Sequence, residues 1–108
     1  MSASKWHDLG PADDFQRQPL QTVRVGRTRL ALTWLDGTFS ALSDACRHVG
    51  GPLGEGTLEG EYVTCPWHGW KYHCRTGLGE PGYEEDSVPR FDCEVRDGAA
   101  RAGDLVFP

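Results

Sequence analysis

Cys46-Arg47-His48 and, after sixteen intervening residues, Cys65-Pro66-Trp67-His68 decide how this chain is read. Each unit offers one thiol and one imidazole, and each sits among turn formers: Gly50, Gly51, Pro52 and Gly54 follow the first, while Pro66 and Gly69 hold the second. Glycine and proline at that density keep the backbone in tight loops, so the pattern predicts two loops closing over one site. A Cys2His2 set serves zinc as well as iron, and its composition does not choose between them. An ordinary zinc finger, however, groups its two cysteines and then its two histidines, the latter on a helix, whereas both pairs here are mixed.

Outward from these loops the chain reads as strands. Short β-type runs at 22–25, 28–35, 39–43, 62–64, 70–72, 91–96 and 105–107 recur between turn signals, which predicts an all-β fold. Leu30, Leu32 and Trp34 alternate with Arg29, Ala31 and Thr33, the mark of a strand with one face on a core, and Asp36-Gly37 turns the chain into Phe39. Trp6, Trp34 and Phe39 are the aromatic core candidates. No stretch carries a sustained helical period, and Pro11, Pro19, Pro52, Pro66, Pro81 and Pro89 interrupt any candidate. Neither a repeat nor a linker divides the chain, so residues 1–108 are expected to form one domain with binding loops at about 44–54 and 64–72. The polar stretch 79–86 reads as a surface loop, with Glu84-Glu85-Asp86 as solvated charge.

Composition narrows the function classes. At 108 residues the chain buries roughly 60–70% of its unfolded surface, an adequate core that a bound cofactor would reinforce. Eleven Lys and Arg against sixteen Asp and Glu give a net charge of −5, which argues against a nucleic-acid partner. The apolar run at 30–35 is far shorter than a membrane span, and residues 1–9 lack the pattern of a signal peptide. The expectation is therefore a cytoplasmic protein without a membrane anchor. In that compartment four cysteines point to metal or redox chemistry more than to a disulfide scaffold. Cys74 and Cys93 are far enough apart in sequence to bridge, but free thiols are the expectation. His73, beside Cys74, reads as a lone strand or surface histidine rather than part of a second metal site. Arg47 and Lys71 flank the ligand units, as partner contacts or as plain solvated charge.

The mixed Cys-x-His and Cys-x-x-His pairing resembles the Rieske family. The resemblance extends through Leu42 to Asp44, Gly50-Gly51-Pro52-Leu53 and Cys65-Pro66-Trp67-His68-Gly69-Trp70-Lys71-Tyr72, in all roughly two-thirds of the chain. It implies an antiparallel β-sandwich or barrel-like base capped by two cluster-binding loops. It also implies one [2Fe–2S] cluster, with Cys46 and Cys65 on one iron and His48 and His68 on the other. Neutral imidazoles ease the acceptance of an electron, and their ring N–H groups link electron to proton binding at high pH.

The same resemblance separates branches. Respiratory-complex members carry one further cysteine in each loop, joined as a disulfide; at the matching positions stand Gly51 and Trp67, as in the ferredoxin and ring-hydroxylating oxygenase branch. The hydroxyl that high-potential members place after the second histidine is replaced by Trp70, while Tyr72 stands where the other hydroxyl donor to a cysteine sulfur belongs. Fewer hydrogen bonds to sulfur leave the reduced cluster less stabilised, so a potential of about −150 to 0 mV is expected. Trp67 and Trp70 are candidates to shield the cluster or to mark the electron exit.

By resemblance, then, the chain is an electron-transfer ferredoxin working between a flavin-dependent ferredoxin reductase and a terminal oxygenase, with no catalytic residues of its own. An oxygenase α-subunit would need a further domain with a mononuclear iron, and only His7 and His73 remain outside the cluster set. The alternatives are the excised Rieske domain of such a subunit, a structural zinc-binding module using the same four residues, and a regulatory subunit of the nitrite-reductase type. The intact ligand set speaks against the last.

Overall fold

The computed structural model describes residues 6–45, 50–67 and 69–106. Nine strands occur among them: β1 (His7–Pro11), β2 (Leu20–Val25), β3 (Thr28–Leu35), β4 (Thr38–Ser43), β5 (Thr57–Glu59), β6 (Tyr62–Thr64), β7 (Lys71–His73), β8 (Arg90–Arg96) and β9 (Ala99–Val106). Single 3-10 turns at Ala12–Phe15 and Leu53–Glu55 are the helical segments among the described residues. Six strands form one antiparallel sheet in the order β1-β9-β8-β4-β3-β2, whose outer strands approach each other so that the sheet nearly closes. The other three form a small antiparallel sheet, β5-β6-β7. The strand pattern predicts this all-β fold, and the family resemblance implies its barrel-like base.

Turn chemistry fixes the hairpins. Asp36 and Gly37 both adopt positive φ, 52° and 73°, the backbone of a two-residue turn whose twist suits the flanking strands β3 and β4. Asp97 and Gly98 repeat the device at 53° and 81° between β8 and β9. Trp34 and Phe39, directly opposite in register across this β3–β4 hairpin, pack their rings in a tilted pair with centroids 4.5 Å apart.

The expectation that β3 buries one face requires correction, because Leu30, Ala31, Leu32 and Thr33 are all buried. Leu30 and Leu32 join Phe39, Ala41, Ala100 and Ala102 inside the barrel. Ala31 points the other way and, with Leu42, meets Leu53, Val63, Tyr72 and Val88 beneath the small sheet. Strands β3 and β4 thus form a shared wall, and the second core fastens the loop-bearing sheet to the barrel. Burying each of its large side chains contributes about 1.5–3 kcal/mol, so the cap is held by packing as well as by any cofactor.

The remaining differences are local. The strand expected at 70–72 is shifted by one residue, that at 105–107 begins at Ala99, and β1 and β5 were not foreseen. Trp6 is half-buried, with its ring against Gly103. Residues 81–85 are exposed turns, as expected for a surface loop.

Candidate metal centre

Both loops are closed at the neck by backbone contacts. In the first, Ala45 and Pro52 form an isolated antiparallel bridge, and the Leu53 N–H donates to the Asp44 carbonyl at 2.9 Å. In the second, the Cys65 N–H donates to the Trp70 carbonyl at 2.7 Å and the Gly69 N–H to the Cys65 carbonyl at 3.0 Å. These two bonds draw Cys65, just past the end of β6, against Gly69 and Trp70, just before β7. Of the four expected ligands, Cys65 is seen, buried to 1% exposure just past the end of β6; Cys46, His48 and His68 lie outside the described residues, as does Arg47.

The loops meet at Gly51. A Cβ built there would lie 2.8 Å from Cys65 Sγ, closer than real Cβ atoms approach, and 3.1 Å from the Trp67 ring, a tight contact. Only glycine admits the thiol at that spot. The two positions where the respiratory branch carries its bridging cysteines, Gly51 and Trp67, therefore touch, and the indole rather than a disulfide fills the gap between the loops.

Asp44, which sequence reading passed over, anchors the first loop from below. Its carboxylate is 5% exposed and accepts the Gly54 N–H at 2.6 Å and the Thr22 hydroxyl at 3.4 Å, with Arg29 Nε at 3.7 Å from its second oxygen. Its own N–H donates to the Arg29 carbonyl at 3.1 Å. One buried side chain thus ties β2, β3 and both ends of the loop together. A Cβ on Gly54 would collide with Thr22, so this approach too depends on glycine. The signal for Asp44 in the sequence is only its place two residues before Cys46, at the polar end of a strand.

The other singled-out residues have plain positions. Tyr72 is fully buried in the core shared with Cys65, and Trp70 is partly buried against the same core. Trp67 is 57% exposed. Lys71 donates to Glu59 at 2.8 Å; that contact holds the Glu59 carboxyl below its ordinary range and raises the Lys71 ammonium above its own. His73 Nε2 lies 2.9 Å from a Glu61 carboxylate oxygen, its Nδ1 accepts the Arg75 N–H at 3.2 Å, and its ring meets Tyr62 edge-on. Both ring nitrogens are engaged, and among the described residues no group of three or more His, Cys, Asp or Glu is placed to hold a metal ion.

Cys74 and Cys93 are free thiols in different cores, Cys74 buried beneath the small sheet and Cys93 packed against the barrel interior. Burial pushes the Cys74 thiol up and, with Asp92 nearby, pushes Cys93 up to about 12. Cys93 Sγ donates to the Phe91 carbonyl at 3.7 Å, which also keeps the proton in place.

Soft sulfur presented at a necked loop, with a glycine cleared beside it and a second necked loop in contact, fits an iron–sulfur group bridging the two loops. Comparison with known proteins agrees. Ferredoxin CarAc of Metapseudomonas resinovorans is 35% identical over 96 residues, covering 86% of this chain and 88% of its own. The oxygenase component of a 3-ketosteroid-9-alpha-monooxygenase from Mycolicibacterium smegmatis is 38% identical over 72 residues, 65% of this chain, which spans only 18% of that protein. Among solved structures, a chain in the complex of reduced oxygenase and oxidized ferredoxin in carbazole 1,9a-dioxygenase superimposes with a TM-score of 0.79 at 31% identity, covering 91% of this chain and 92% of its own. Residues 5–92 match the profile of the Rieske [2Fe-2S] domain, so the chain belongs to that family and its cofactor is a Rieske-type [2Fe–2S] cluster.

Proposed function

We propose that this chain is a Rieske-type ferredoxin, a one-electron carrier that receives electrons from a flavin-dependent reductase and delivers them to a terminal oxygenase in the cytoplasm. Cys46 and Cys65 would hold one iron of the cluster, and His48 and His68 the other. The observation that carries the reading is the meeting of the two necked loops at Gly51 and Cys65, on a cap packed against the barrel. When bound, the cluster supplies reversible uptake of a single electron. The chain's own residues do the rest: Asp44 sets the first loop, the Cys65-to-Trp70 hydrogen bonds set the second, and Tyr72, Leu53 and Val63 keep water from the inner side of the site. Near end-to-end correspondence with CarAc supports the carrier role, and the likeness to a chain of the oxygenase–ferredoxin complex supports a terminal oxygenase as acceptor. No helix of the described residues is long and apolar enough to cross a membrane.

A second reading is favoured by the 38% identity to the ketosteroid oxygenase component: the same domain serves as the electron-entry module of a larger oxygenase. An optical redox titration of the purified protein tests the proposal. Reversible uptake of one electron per chain, at about −150 to 0 mV, is the expected result. A colourless protein with stoichiometric zinc would overturn it. Electron transfer to an added oxygenase from the same source distinguishes a carrier from an entry module, which would serve only its own chain.

A further inference from the structure

The described residues on either side of the second loop, Trp67 and Gly69, line two hollows of opposite charge. On the Trp67 side a hollow of about 390 Å³ is lined by Arg27, Arg29, Asp44, Gly50, Pro52 and Trp67. On the Gly69 side another, of about 400 Å³, is lined by Trp70, Lys71, Glu80, Tyr83 and Asp86. The first is the unexpected one in a chain of net charge −5. The hairpin 22–35 that walls it carries Arg24, Arg27 and Arg29 and no carboxylate. Arg29 is engaged with Asp44, but Arg24 and Arg27 are exposed and have no carboxylate within ion-pair reach among the described residues. Trp67, which lines the same hollow as Arg27 and is next in sequence to the second histidine, exposes 57% of its surface.

Resting on the electron-carrier reading, we infer that the Arg27–Trp67 hollow is the docking site of a redox protein that presents carboxylates beside its electron port. Arginine and tryptophan are among the residue types that dominate interface energetics, and here they line one hollow. The carboxylates at Glu80 and Asp86 repel the same partner from the opposite side, so attraction and repulsion together fix one orientation over the second loop. The sign of the local field, against that of the whole molecule, identifies the partner as acidic at the contact.

The test uses the cluster-loaded protein, reduced, and follows its oxidation by hexacyanoferrate(III), which takes one electron to become hexacyanoferrate(II), and by the cation hexaammineruthenium(III). In the Arg24→Glu/Arg27→Glu variant, oxidation by the anion should slow roughly tenfold at about 10 mM salt and oxidation by the cation should quicken, both effects fading at about 0.5 M salt. Poly-L-glutamate, standing in for a carboxylate-bearing surface, should retard oxidation of the parent protein by neutral benzoquinone and leave the variant unaffected. An unchanged ratio of the two ion rates, or no retardation by polyglutamate, overturns the inference while leaving the carrier reading intact. Retardation by polylysine alone would put docking on the Glu80 side and overturn it as well. A protein without redox activity fails the carrier reading, and this inference with it.

Discussion

Gly51 stands where its missing Cβ would fall 2.8 Å from the Cys65 sulfur, so the two cluster loops touch through a backbone and a thiol. Gly51→Ala should therefore displace Sγ or push the loops apart, at a cost of about 1–3 kcal/mol for a crowded site. Iron and acid-labile sulfide per chain should drop together with the thermal midpoint. Full cluster content in this variant would show that the contact is slack.

Asp44 holds the first loop through a buried carboxylate with partners on three segments. Asp44→Ala leaves the Gly54 N–H buried without its acceptor and should cost about 2–3 kcal/mol in urea unfolding. Asp44→Asn keeps an oxygen for that N–H, loses only the charge facing Arg29, and should cost about half as much. Equal losses in the two variants would assign the effect to charge rather than to the hydrogen bond.

The ligand assignment makes a sharp contrast between histidines. His48→Ala or His68→Ala should abolish the visible spectrum of the cluster. His73→Ala, which removes only contacts to Glu61, Arg75 and Tyr62, should leave it intact. The reverse outcome would require a different ligand set.

How much of this was legible in the sequence depends on how local each signal is. The Asp36-Gly37 hairpin was readable because two residues encode it, and Asp97-Gly98 offered the same signal for β9, which was found only at its end because Ala99, Ala100, Ala102 and Gly103 have weak strand preference. Strand β3 was read as one-sided because alternation marks the side with large residues. Small Ala31 and hydroxyl-bearing Thr33 hid the second buried face, which exists only because another sheet lies on it. The ligand units were legible from type and spacing. Asp44 was not, since an aspartate at a strand end looks the same whether solvated or buried beneath Gly54 and Thr22.

The two free thiols predict a falling stability at high pH. In the unfolded chain they ionise near about 8.5, whereas folding raises Cys74 and holds Cys93 to about 12. A group kept neutral by folding stabilises fully below its unfolded pKa and loses that contribution as pH rises toward the folded value. The thermal midpoint should therefore decline from about pH 9 upward, and Cys93→Ser should flatten the decline. A midpoint that holds steady from pH 8 to 11 would contradict the burial of these thiols.

Whether these loops hold a mixed-ligand cluster is read most directly from the visible and EPR spectra of anaerobically purified protein before and after dithionite. A red-brown oxidised form that is EPR-silent and gives a rhombic signal on reduction, with about two irons and two labile sulfides per chain, is the predicted result. A colourless, EPR-silent protein containing zinc would leave the β-barrel and its cap standing and remove the electron carrier.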